Sequence, residues 1–216
     1  MIRPPGEPST SDLPDSYLTL VGSAESELKV QRSRFLALAF PVQTELEAQA
    51  FLSATARRYH DSRHVCYGFK LGVGRQTITR RSDDGEPSGT AGEPILAAIA
   101  KLELTDVLVI VVRYFGGVKL GTGGLARAYG QAGAMVLAKA GIREVNLGRQ
   151  FVIHFPYAQE KTIRHLLEAR GGRLLDQQYG ESVSWRIQLA HSVWRGFATA
   201  LNDLTAGKVN LEDPES

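Results

Sequence analysis

Apolar positions fall in short runs, and their spacing sets the predicted elements. Residues 107–112 are an unbroken apolar hexamer inside DVLVIVV, the pattern of a strand buried on both faces. Residues 26–42 (SELKVQRSRFLALAFPV) read as two extended segments broken near 31–33. Leu28 and Val30 alternate with polar neighbours, 35–40 is apolar, and Pro41 ends the run. Thr44 followed by Glu47 spells a capping box, so a helix is predicted to about Tyr59 with Leu46, Ala50, Phe51 and Ala54 facing inward. Strands are predicted over 64–71 and 76–81, joined by the turn LGVGR. Pro94 suits the first turn of a helix over 95–102. A strand over 106–115 and a helix over 125–140, closed by Gly141, complete this half.

The pattern restarts near Gly148. A strand over 150–156, a helix over 157–169 and a strand over 173–179 are separated by Gly171–Gly172 and similar breaks. Val183, Trp185, Ile187 and Leu189 share one face of a strand over 182–190. A helix over 193–204 and a short strand over 208–211 follow. The order β-α-β-β-α-β is the split pattern of ferredoxin-like domains. The expected organisation is therefore α+β: a flexible tail over 1–19, a first domain over 20–147 and a ferredoxin-like domain over 148–212. The tail, beginning MIRPPGEPSTSDLPDS, is rich in Pro, Ser and acids and lacks the apolar core of a signal peptide.

Composition narrows the setting. The chain has 216 residues, 43% hydrophobic, with a formal charge of +2. That excess belongs to the first half, where residues 1–147 hold 17 Lys+Arg against 15 Asp+Glu while 148–216 hold 8 of each. Net charge this small points to no partner class by itself. Cys66 is the single cysteine, so an intramolecular disulfide and a Cys-based zinc site are excluded and a reducing, cytoplasmic place is expected. Within HVCYGF it reads as a small buried hydrophobe. No apolar run reaches the ~20 residues of a membrane span, and no membrane partner is expected.

Two glycine-rich loops carry the candidate chemistry. RYFGGVKLGTGGLARAYG, residues 113–130, holds six glycines and three cations but no acid. A strand ends, glycines follow, and a helix begins at about Gly124. Free amides at a helix start attract anions. Arg113, Lys119, Arg127, Thr122 and Gly116, Gly117, Gly121, Gly123 and Gly124 are thus candidate phosphate contacts, with Arg80 and Arg81 as an extension of the basic track. Tyr114 and Phe115 are candidates for base stacking, with core packing the competing reading for at least one of them. The same glycines equally suit a tight strand-to-helix connection. Neither GxxxxGK[ST] nor the dinucleotide fingerprint occurs. The second loop, SDDGEPSGTAGEP over 82–94, offers Asp83, Asp84 and Glu86 as weak divalent-metal candidates, against two other readings: a solvated acidic turn, or acids pairing with Arg113, Lys119 or Arg127. His60 and His64 lie between a helix end and a strand, where four-residue spacing does not make a metal pair. No catalytic residue and no cofactor emerge.

RRSDDGEPSGTAGEPIL together with VVRYFGGVKLGTGGLARAYG resembles the YigZ/IMPACT family, with KVQRSRFLALAFPV and HVCYGFKLG in support. The resemblance covers about residues 20–142. The remainder is similar to the carboxy-terminal ferredoxin-like domain of the bacterial YigZ branch. It implies a two-layer α/β sandwich like a small-subunit ribosomal protein domain and domain IV of elongation factor G, then a ferredoxin-like domain. By that likeness RNA or the ribosome is the expected partner and translation the expected process. A protein-interaction regulator of translation or stress signalling, and an enzyme acting on a phosphorylated small molecule with a divalent metal, stand as alternatives. Eukaryotic members regulate translation through the starvation-kinase pathway with an added amino-terminal domain, for which the sequence shows no counterpart.

Overall fold

A computed structural model describes residues 13–214. Contacts divide the chain into two units: Tyr17–Val145, and a second whose described part is 13–16 with 146–214.

The first unit is organised by β6 (Val107–Tyr114), whose apolar hexamer is buried throughout. It lies at the centre of a five-stranded antiparallel sheet in the order β2 (Ala24–Val30), β3 (Ser33–Pro41), β6, β4 (His64–Leu71), β5 (Ile78–Ser82). Strand alternation splits its side chains between two cores. Val107, Val109 and Val111 join Phe35, Ala37 and Cys66 beneath α2 (Gly92–Lys101) and α3 (Gly121–Ala140). Leu108, Ile110 and Val112 join Leu36, Leu38 and Phe69 beneath α1 (Glu45–Arg58). The α+β class expected from the sequence is observed, with every strand pair of this sheet antiparallel. The sheet with α2 and α3 forms the expected two layers, and α1 covers the opposite face.

The capping box forms as spelled. Thr44 Oγ1 accepts from the Glu47 amide at 3.1 Å, and Glu47 Oε2 accepts from the Gln43 amide at 2.7 Å. The inward face of α1 differs from expectation. Ala48, Leu52 and Thr55 are buried, whereas Leu46 is 81% exposed and Ala50 and Ala54 face solvent. Phe51 is half-buried and stacks on Phe40. The helix carries no strong apolar stripe, so the sheet surface and not its own pattern selects the docked face.

Expectations for the first 19 residues need correction where they can be read. Residues 1–12 lie outside the described region, but β1 (Ser16–Leu20) is a strand, paired with β7 (Ile142–Asn146) in a small separate sheet. Its alternation is too short to announce itself beside the Pro- and Ser-rich run before it.

The second unit holds β8 (Gly148–Phe155), α4 (Glu160–Ala169), β9 (Arg173–Tyr179), β10 (Val183–Ala190) and α5 (Trp194–Thr205). Its sheet runs β8-β10-β9, all antiparallel, and Glu212 adds an antiparallel bridge to Val152 on the outer side of β8. That is the ferredoxin-like arrangement, with the last strand reduced to one bridge just beyond the predicted 208–211. Trp185, Ile187, Phe155 and Phe197 fill its own core. Among the described residues no helix is long and apolar enough to cross a membrane.

Candidate functional site

The two glycine-rich loops meet at the end of β6. Register places Arg113 between Phe35 of β3 and His64 of β4, on the face covered by α2 and α3. There it is buried at 5% exposure, with Nη1 donating to Glu86 Oε1 at 2.6 Å. Tyr129 of α3 donates to the same oxygen at 2.9 Å. The Cys66 thiol lies 3.4 Å from the Tyr129 hydroxyl and 3.0 Å from the Asp83 carbonyl. The reading in which the acidic loop pairs with a cation of the basic one is therefore realised, by Glu86 and Arg113. Burial pushes the Cys66 thiol up to about 12 and raises the Tyr129 hydroxyl well above its ordinary value. Both stay protonated near neutral pH.

The other acids are committed to backbone. Asp83 accepts from the amides of Gly89 at 2.8 Å, Ala91 at 3.0 Å and Gly92 at 2.8 Å, closing the loop and capping α2. Burial alone would raise its carboxyl; these amides outweigh that and hold it below the usual range. Asp84 Oδ2 accepts from the Val65 amide at 2.6 Å, and its carbonyl accepts from His64 Nδ1 at 2.7 Å. The metal expectation for Asp83, Asp84 and Glu86 is corrected on this ground: amides hold both oxygens of Asp83 and Oδ2 of Asp84, and Arg113 and Tyr129 hold Oε1 of Glu86, so the three carboxylates are committed to separate donors. No group of three potential metal-ligating side chains occurs among the described residues.

The basic loop has two roles that composition alone could not separate. Gly116 is there for packing: a Cβ would fall 2.1 Å from the Arg32 carbonyl carbon. Gly117 and Gly121 take positive φ, +85° and +69°, which turns the chain from β6 into α3. The helix begins at Gly121, earlier than the predicted Gly124. Thr122 and Gly123 are exposed and Gly124 half-buried in its first turn. Among the described residues no side chain caps this end and no acid lies in the first turn, so none of them answers its leading amides. The bend is not sealed inside the molecule.

That helix end opens on a cavity of about 440 Å³. Lys119, Gly121, Thr122, Leu120 and Leu125 line one side; Arg63, His64, Glu86, Pro87, Arg113 and Phe115 line the other. Neither Arg63 nor Lys119 has an ion-pair partner among the described residues. Arg113 Nε is buried without a hydrogen-bond partner among the described residues. Phe115, 44% exposed, stands beside the Arg113 guanidinium, Cζ lying 5.5 Å from the ring centre. Tyr114 points to the opposite sheet face and donates to Asp61 at 2.8 Å, so it is not a partner of Phe115 in stacking.

Not every candidate converges here. Arg127 lies further along α3 and does not line the cavity. Arg80 and Arg81 sit on edge strand β5 facing opposite sides of the sheet, as register with Phe69 and Gly68 requires. Arg80 Nε lies 3.6 Å from Glu45 and Arg81 Nε 2.9 Å from Glu93. The expected continuous track is corrected by this alternation. Arg63, which no motif surrounds in the sequence, lines the cavity beside Lys119.

Residues 31–137 match the Impact N-terminal domain, and residues 153–208 match a domain of unknown function, DUF1949. The chain is 34% identical to IMPACT family member YvyE of Bacillus subtilis (strain 168), across 93% of this chain and 92% of that protein. The IMPACT family member in pol 5'region of Thermus thermophilus is 40% identical across 85% of this chain and 99% of its own length. IMPACT family member YigZ of Escherichia coli (strain K12) is 30% identical, covering 85% and 90%. A crystal structure described as that of a hypothetical protein superposes with a TM-score of 0.61 at 29% identity, covering 93% of this chain and 98% of its own.

Proposed function

The chain belongs to the IMPACT family, and we propose that it is a cytoplasmic RNA-binding protein of translation control that grips phosphate at the amino end of α3. One observation carries the reading. An uncapped, acid-free helix end faces a cavity whose rim holds two cations, Arg63 and Lys119, without ion-pair partners among the described residues. Helix-end amides and unpaired cations together favour phosphate oxygens. Every cavity residue lies within the stretch matched by the Impact N-terminal domain. Phe115 offers an aromatic surface at the same rim, suited to a base.

Filter binding of single-stranded RNA to the wild type and to Arg63→Ala/Lys119→Ala tests it. Charge-assisted contacts of this kind predict a loss of roughly 10- to 100-fold in affinity, at unchanged melting temperature. Equal affinity in the two proteins rejects the site. Arg113 is left intact, because truncating it would take from the buried Glu86 the guanidinium it is bonded to.

A further inference from the structure

We propose that the cavity at the amino end of α3 receives a terminal phosphate monoester, on an RNA end or a free nucleotide, and that Glu86 accepts a hydrogen bond from the nucleoside attached to it. This deepens the phosphate-binding reading and rests on it. Three features separate an end from a passing backbone.

The first is convergence. The determinants gather around one concave space of about 440 Å³, within the range of small-ligand pockets. A strand threading across the surface would need cations strung along its path. Arg80 and Arg81 diverge to opposite faces with their own carboxylate partners, and Arg127 stays outside. The second is charge. Arg113 and Glu86 balance each other, which leaves Arg63, Lys119 and roughly half a positive charge from the helix end. A phosphate monoester carries about −1.5 to −2 near neutral pH, and matches that sum better than the single charge of a diester.

The third is an acceptor where an anion site would not want one. Glu86 is 9% exposed and lines the cavity; Arg113 and Tyr129 bond its Oε1, and Oε2 has no partner among the described residues. Beside it Arg113, nine-tenths buried, also lines the cavity, while its Nε is shut away from solvent with no hydrogen-bond partner among the described residues. A bare phosphate would leave that carboxylate oxygen unanswered. A nucleoside supplies hydroxyl or amino donors to meet it while Pro87, Phe115 and Leu120 cover its apolar faces.

Fluorescence anisotropy on the full chain decides this. The probes are one short single-stranded RNA with a 5′-phosphate, with a 3′-phosphate, with hydroxyls at both ends, and circularised; the competitors are nucleoside monophosphates and inorganic phosphate. At least one phosphorylated end should bind about tenfold or more tighter than the hydroxyl-ended and circular forms. Nucleoside monophosphate should compete better than inorganic phosphate, and Thr122→Val with Lys119→Ala should erase the preference. Equal binding of all four RNAs overturns the end-reading and leaves RNA binding standing. Binding of nucleoside monophosphate with no binding of any RNA keeps the monoester site and rejects RNA as its source. Inorganic phosphate competing as well as the nucleotide removes the role given to Glu86. Binding by no probe rejects the monoester site and the RNA reading together.

Discussion

Cys66, Tyr129, Glu86 and Arg113 show how much of a residue's chemistry is set by where the sheet puts it. In the sequence Arg113 reads either as a phosphate contact or as one of three cations open to pairing with the acidic loop, and Cys66 as a small apolar filler. In the fold both belong to one hydrogen-bonded chain under α3. The cysteine's burial was legible because HVCYGF is a strand pattern by itself, whereas the pairing of the two loops was legible only as one open reading among three. The arginine's partner lies 27 residues away along the chain and could be placed only once β4 and β6 were paired. Gly116 was legible as a glycine that matters, but its reason, the approach of the Arg32 backbone, is a contact across a hairpin. The thiol yields a direct test. With its pKa raised to about 12 by burial, almost no thiolate exists near neutral pH. Iodoacetamide should leave the native protein unlabelled at neutral pH and react only as the chain opens, so labelling should accelerate with urea in step with unfolding. Rapid labelling without denaturant would show that the buried chain is open to solvent.

Elements were legible in proportion to how far their own pattern decides their environment. β6 needed only its six apolar residues, since a strand that apolar can be accommodated only between two covered faces. Thr44 and Glu47 fixed the start of α1 because a cap is a local bond. The docked face of α1 was not legible, and neither was β1, since both depend on a surface supplied by distant residues. The acidic loop lies between these cases. Its turn character was plain, but Asp83 read as a metal candidate when it is the cap of α2. That assignment has a pH signature. The folded Asp83 carboxyl is depressed, so the stability it lends is complete above the unfolded value of about 3.9 and is lost as pH falls through the lower folded value. Asp83→Ala should cost about 1–2 kcal/mol at neutral pH. In urea titrations the gap from wild type should hold down to about pH 5 and close below about pH 4. A gap that stays constant into strong acid would mean the ionised carboxylate is not what holds the helix start.

For the whole molecule, a formal charge of +2 means that any affinity for RNA must come from placement of charge and not its amount. The sequence displayed Arg80, Arg81, Arg113, Lys119 and Arg127 as one basic population, because proximity along the chain was the available measure. Folding sorts them. One is buried against Glu86, two face opposite ways beside Glu45 and Glu93, and one lies outside the cavity, leaving Lys119 to act with Arg63. The two arrangements predict different salt dependences. Single-stranded binding loses affinity with salt at a slope of about −0.7 per phosphate neutralised. Two engaged cations give a slope of roughly −1.4, whereas a track using all five arginines and lysines first in view would give about −3.5. Measured against log salt concentration, the shallow slope is expected for the wild type, falling toward zero in Arg63→Ala/Lys119→Ala. A steep slope that survives those two substitutions would place the nucleic acid on some other surface, whatever the cavity at α3 binds.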